Sequence, residues 1–190
     1  MPKITTSDFR NGLTILVNNE IYSITEFLHV KPGKGGAFVR TKLKGVVNGK
    51  VLDKTFRAGE TLEAVRVERH PYQYLYREDD IFHFMHKQTF EQIPIPIEQV
   101  DRPDFMKENQ DVVVVINTDT DKILFTELPD HVVLEITDTE PGLKGDTAQG
   151  GSKPAKLESG ASIQVPLFIN LGDTVKVNSK EGTYIERVKL

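Results

Sequence analysis

The chain has 190 residues, 38% of them hydrophobic, with a formal net charge of −4 and no cysteine. The missing cysteines exclude a disulfide framework, a thiolate nucleophile and a Cys-based zinc site. The length allows two or three compact units, each with a modest core. No window approaches the roughly 18–20 continuous apolar residues of a membrane span, and Met1 to Thr5 lack the apolar run of a signal peptide, so a cytoplasmic protein without membrane contact is expected.

Charge is distributed unevenly. Residues 1–65 hold ten Lys/Arg against six Asp/Glu, residues 66–130 seven against fourteen, and residues 131–190 seven against eight. Within the basic third, Lys31, Lys34, Arg40, Lys42, Lys44, Lys50, Lys54 and Arg57 face a single Asp53 in the window 29–57. Such a cluster points to a phosphate-rich partner, against the alternative of a merely solvated basic face.

Short β-like runs recur at intervals of about ten residues and sustained helical periodicity is nearly missing, so the fold class is mostly β. In the first third, Thr14–Val17 and Ile21–Ile24 flank Asn18-Asn19, and Val46-Val47 and Val51-Leu52 flank Asn48-Gly49-Lys50, which predicts two hairpins. A third hairpin has its tip at Lys31-Pro32-Gly33-Lys34-Gly35-Gly36. There Pro32 restricts φ, while Gly33, Gly35 and Gly36 permit positive φ, so the turn projects Lys34 away from the body. Five strands in 1–65 suggest an SH3-like barrel.

Tyr72–Tyr76 and Ile81–Met85 read as a hairpin turning at Arg77–Asp80. Gln88 to Val100 is interrupted by Pro94 and Pro96, Asp104 to Gln110 is read as a short helix capped by Asp104, and Asp111–Ile116 is a buried strand. From His131 the style repeats with Val132–Ile136, a Gly-rich loop from Pro141 to Pro154, Ile163–Ile169, Thr174–Val177 and Tyr184–Val188. These lengths fit two five-stranded OB-like barrels, with domains at 1–65, 66–130 and 131–190.

Period-2 alternation from Ala37 to Lys44 places Phe38, Arg40, Lys42 and Lys44 on one face, so three cations and an aromatic ring line the stalk below Lys34. Phosphate contacts of this kind give affinity without reading sequence. Gly33-Lys34-Gly35-Gly36 lacks the spacing, the Ser/Thr and the following helix of a nucleotide-binding loop. His83 and His86, three apart in a strand, point to opposite faces without a third ligand, so no metal site is expected, and no nucleophile elbow marks a catalytic residue.

Lys31-Pro32-Gly33-Lys34-Gly35 through Phe38-Val39-Arg40, Thr55-Phe56-Arg57, Tyr74-Leu75-Tyr76 with Phe84-Met85 and Phe90-Glu91-Gln92, and Pro141 to Ala148 with Gly151, Lys153-Pro154-Ala155 and Val165–Phe168 together resemble bacterial elongation factor P across essentially the whole chain. The resemblance implies an L-shaped, non-enzymatic molecule of one SH3-like (KOW-like) and two OB-fold domains that binds the 70S ribosome between the P and E sites. It also implies relief of stalling at consecutive prolines, with Lys34 beside the P-site peptidyl-tRNA. It further implies no cofactor but a covalent extension of Lys34, of β-lysyl or aminopentanol type, installed by a modifying enzyme. Pro32, Gly33, Gly35 and Gly36 would shape the tip, and Lys31, Arg40, Lys42 and Lys44 would contact RNA. Gly145-Asp146-Thr147 would approach the E-site mRNA codon, and Tyr184 and Arg187 would face the small subunit. Arg77-Glu78-Asp79-Asp80 departs from the Asn/Asp-Gly turn of many family members, which leaves the local turn type open.

Overall fold

A computed structural model describes residues 1–141 and 151–189. They form three antiparallel sheets. The first contains β1 (Lys3–Thr5), β2 (Thr14–Val17), β3 (Glu20–Val30), β4 (Phe38–Gly45), β5 (Val51–Arg57) and β6 (Thr61–Ala64), in the order β1-β6-β2-β3-β4-β5. Asn18 and Asn19, at φ 50° and 66°, join β2 to β3 in the two-residue left-handed turn that suits the twist of a hairpin. Alternate residues Ile15, Val17, Tyr22, Ile24, Val39, Leu43 and Phe56 converge with Phe9 on one core. The sheet has six strands rather than five. Val46-Val47, expected as a strand, lie in the turn after β4, and the short β1 and β6, which pair with each other, carried too little alternation to be read.

The second sheet contains β7 (Val67–Glu78), β8 (Ile81–His86), β9 (Gln92–Pro96), β10 (Asp111–Asn117) and β11 (Lys122–Glu127), in the order β11-β10-β7-β8-β9. The turn at Arg77–Asp80 tightens to Asp79-Asp80, with Asp79 at φ 51° and the Arg77 guanidinium 3.3 Å from the Asp80 carboxylate. Pro94 and Pro96 do not prevent a strand, because β9 is an edge whose missing N–H groups cost no ladder bond.

The helix expected over Asp104–Gln110 is absent. A single 3₁₀ turn, Pro103–Phe105, follows Arg102 at φ 46°, and Met106 is extended. The Asp104 carboxylate is drawn to the Arg102 guanidinium at 2.8 Å instead of capping a helix.

The third sheet contains β12 (His131–Thr139), β13 (Ser152–Leu157), β14 (Ser162–Pro166), β15 (Thr174–Asn178) and β16 (Thr183–Val188), in the order β14-β13-β12-β15-β16. The loop expected to run to Pro154 ends before Ser152, since β13 pairs Lys153 with Val165 and Ala155 with Ile163. The run Ile163–Ile169 leaves the strand at Pro166, though Ile169 stays fully buried.

By contacts, the described residues fall into two compact units: Met1–Arg69 with Val115–Leu124, and His70–Val114 with those from Phe125 on. Inside the second unit, Arg102 donates to the Lys180 carbonyl at 2.9 Å and lies 4.2 Å over the Phe105 ring. Among the described residues no helix is long and apolar enough to cross a membrane.

Candidate functional site

β3 and β4 pair from Tyr22↔Gly45 to Val30↔Phe38, and β5 flanks β4 from Lys44↔Val51 to Phe38↔Arg57. Residues 31–37 close the hairpin, and the Ala37 carbonyl accepts the Ala58 amide at 2.9 Å, which ties the base of the loop to the end of β5. Lys34 is exposed and makes no hydrogen bond or ion pair with another described residue. Gly35 alone among the three tip glycines takes positive φ, at +106°, with space for a Cβ 3.9 Å from Pro32 Cγ. Around Gly33 and Gly36 nothing lies within 4 Å of a Cβ position. Their value at the tip is open space on either side of the lysine.

Along β4, Val39, Thr41, Leu43 and Gly45 are buried, while Phe38 and Lys42 are half-buried and Arg40 and Lys44 exposed. One side of the strand therefore builds the core and the other presents the cations. The register adds what the sequence window omitted. Glu26 stands opposite Lys42, with the ammonium 3.2 Å from the carboxylate, and Asp53 stands opposite it from β5. Lys42 is thus partly neutralised, whereas Lys31, Lys34 and Lys44 have no ion-pair partner among the described residues. Arg40 lies 5.5 Å over the Phe38 ring, with the exposed Leu28 opposite it on β3. This face offers cations for phosphates and apolar surface for sugar or base planes.

A bulge in β3 sets these faces. Ile24 pairs with Leu43 and Glu26 with Lys42, so Thr25 is the extra residue, its hydroxyl bonded to the Lys42 carbonyl at 3.0 Å. Tyr22 and Ile24 point into the core below it, and Phe27 lies opposite the buried Thr41 beyond it. Glu26 reaches the outer face because of that one residue.

Gly145, Asp146 and Thr147 lie outside the described residues. Tyr184 and Arg187 are on β16, where Tyr184 pairs with Val177 and Arg187 with Val175, and Ile185 is skipped. This second bulge puts Tyr184 and Arg187 on one side, although a separation of three would otherwise part them. Arg187 lies 3.6 Å from the Asp173 carboxylate and 5.8 Å over the exposed Phe168 ring. Phe168 follows the end of β14, and no periodicity in the sequence set it beside Arg187.

His83 and His86 point to opposite sides of β8. His86 is buried, and its Nδ1 accepts the Gln88 and Thr89 amides at 3.1 Å. Among the described residues no group of three or more His, Asp or Glu side chains could hold a metal ion.

Three family models match in order along the chain: the elongation factor P KOW-like domain over residues 5–62, the elongation factor P OB domain over 67–123, and the elongation factor P C-terminal domain over 132–187. The elongation factor P of Flavobacterium psychrophilum is 56% identical over 184 residues, covering 97% of this chain and 98% of the relative. That of Salinibacter ruber is 55% identical over 183 residues, covering 96% and 95%. Among solved structures, a translation initiation factor eif-5a family protein from Naegleria fowleri aligns with a TM-score of 0.53 at 16% identity, covering 67% of this chain and 98% of its own. The eukaryotic translation initiation factor 5A from Methanococcus jannaschii aligns at 0.50 and 19%, covering 66% and 93%. At those identities the two structures speak for the fold alone. With relatives more than half identical over nearly its whole length and all three domain models matched in order, the chain belongs to the elongation factor P family of translation factors.

Proposed function

We propose that this translation factor binds the 70S ribosome between the P and E sites, in the cytoplasm, and speeds peptide-bond formation at consecutive prolines by positioning the P-site peptidyl-tRNA with Lys34. The observation that carries the reading is the exposed Lys34 ammonium, without an ion-pair partner among the described residues, at the end of a three-stranded arm whose outer face presents Arg40 and Lys44. Proline is a rigid, poor nucleophile, and orienting the reacting ends can lower a barrier by several kcal/mol without a catalytic side chain. The ribosome remains the catalyst.

In this reading Lys31, Arg40, Lys42 and Lys44 contact RNA phosphates. Gly145-Asp146-Thr147 approaches the E-site codon, and Tyr184 and Arg187 face the small subunit. Lys34 carries a β-lysyl or aminopentanol extension. The open space at Gly33 and Gly36 suits a modifying enzyme that must close around the side chain.

Lys34→Ala tests the reading in a reconstituted translation system with a proline-run template. Expected is loss of stimulation with thermal stability within about 0.5 kcal/mol of wild type, because an exposed tip adds little to the core. Undiminished relief of stalling by the variant would overturn the role of Lys34. Intact mass and peptide mapping of the natively expressed protein test the extension, and an unmodified Lys34 in an active protein would remove it.

A further inference from the structure

The irregular segment between β9 and β10, where a helix was expected, meets the third sheet at two hairpin loops. Lys107 lies 3.4 Å from Glu158 in the β13–β14 loop, and Arg102 Nη1 donates to the Lys180 carbonyl at 2.9 Å in the β15–β16 loop. Arg102 is costly where it stands. Its backbone takes φ 46° and ψ 59°, a left-handed conformation that is crowded for any residue with a Cβ. Its Nε and Nη2 donate to the two oxygens of Asp104 at 3.0 and 2.8 Å, and the guanidinium lies 4.2 Å over the buried Phe105 ring. Fork and ring fix the plane of the guanidinium, which aims Nη1 at one place. A partly exposed ion pair between near neighbours in the chain adds little to stability, so the strain is explained by what Nη1 holds.

The loop it holds is itself well braced. The Asn178 side chain accepts the Lys180 and Glu181 amides at 3.0 Å, and the Gly182 amide closes on the Asn178 carbonyl at 2.8 Å. The Lys180 ammonium pairs with Asp130 at 2.6 Å, and the buried Ser179 hydroxyl donates to the Pro129 carbonyl. Gly182 keeps the approach open, since a Cβ there would lie 3.4 Å from Arg102 Nη2 and from the Phe105 ring. The next residue begins β16, the strand that carries Tyr184 and Arg187. Arg102 therefore grips the root of that strand from another sheet's connection.

We infer that Arg102 is a positioning residue, which acts through β16 by setting the direction in which Tyr184 and Arg187 are presented. The inference rests on the proposed contact of those two side chains with the small subunit. An anchor held at one angle meets its target at a high effective concentration, whereas a loose one is diluted over every orientation it samples.

The test uses the full chain, whose lack of cysteine lets Gln88→Cys and Glu186→Cys carry a pair of spin labels. Arg102→Gly removes the fork and relieves the left-handed backbone, so the melting temperature should stay within about 4 °C of wild type. The distance distribution between the labels should broaden, and without labels the affinity for 70S ribosomes should fall by about tenfold. Arg102→Lys keeps the charge without the fork and should show the same changes to a smaller degree. A double-mutant cycle separates positioning from plain stability. Tyr184→Ala with Arg187→Ala should weaken binding by about tenfold or more, and Arg102→Gly added to that pair should cost no further affinity. An undiminished further loss on that background would overturn the inference, as would wild-type distance widths and affinity in Arg102→Gly. If Arg102→Gly does not fold, Arg102→Lys decides by the same two readouts. Wild-type affinity of Tyr184→Ala with Arg187→Ala would instead remove the anchor reading on which the inference stands.

Discussion

Glu26 and Lys42 face each other across β3 and β4, the ammonium 3.2 Å from the carboxylate and both side chains more than 40% exposed. Such a pair contributes only about 0.2–1 kcal/mol to stability. On the proposed RNA contact its effect should be larger, because a cation that already has a counter-charge displaces fewer ions from a phosphate.

The cations of the arm should therefore be unequal. In salt titrations of ribosome or tRNA binding, Arg40→Ala and Lys44→Ala should each flatten the log–log slope by close to one phosphate contact, roughly 0.7–0.9. Lys42→Ala should flatten it less, and Glu26→Gln should steepen it. Equal slope changes for Arg40→Ala and Lys42→Ala would show that the pair opens on binding and that the register argument has no functional weight.

The tip glycines should also separate. Gly35→Ala places a Cβ at φ +106°, which L residues rarely adopt, so about 1–2 kcal/mol of stability should be lost or the tip reshaped, with reduced proline-run synthesis. Gly33→Ala and Gly36→Ala meet neither positive φ nor a neighbour and should melt within about 0.5 kcal/mol of wild type. Parallel melts and dipeptide assays of the three variants check this, and equal losses at all three positions would contradict it.

A different glycine tests the packing of the second unit. A Cβ at Gly182 would lie 3.4 Å from Arg102 Nη2 and from the Phe105 ring, at φ +68°. Gly182→Ala should destabilise by roughly 1–3 kcal/mol, and Gly49→Ala, at φ +66° with nothing within 4 Å, by less. Denaturant midpoints at equal m-values are the measurement, and identical losses would mean that backbone strain alone matters at Gly182.

Bonds from the Arg102 guanidinium hold the Asp104 carboxyl below its usual range, against a smaller upward push from burial. A folded value below the unfolded one means that the stabilisation is complete above about pH 4 and fades as pH falls through the folded value. Burial raises the neighbouring Asp101 and works in the opposite sense, so wild type must be compared with Asp104→Asn to cancel it. The gap in melting temperature should be widest near neutrality and narrow as pH falls below the ordinary carboxylate range. A gap independent of pH would assign the bridge no ionic character.

Most strands were legible because their buried residues are Ile, Val, Leu and Phe at period two, as in Phe38–Gly45. β13 was not, since its inward residues are Lys153, Ala155 and Leu157, a pattern that does not look apolar. Lys153 is buried all the same, its ammonium donating to the Glu140 carbonyl at 2.5 Å. The tip and the cation face were read from local spacing. Glu26 was missed because its place beside Lys42 depends on the Thr25 bulge, and Phe168 because its place over Arg187 brings the segment after β14 against β16, nineteen residues on in the chain. Long-range register, unlike alternation, leaves no local trace.

The bulge at Thr25 also makes the arm a ruler with coarse graduations. Beyond it, Phe27 faces in and Glu26 out, and without a further bulge this alternation runs on to the tip unchanged only when residues are added to β3 and β4 in pairs on both strands. At about 3.3–3.4 Å per residue, the reach of position 34 changes in steps of nearly 7 Å. No backbone insertion of this kind can set it more finely. Adjustment on the scale of one covalent bond falls to the side chain at position 34 itself.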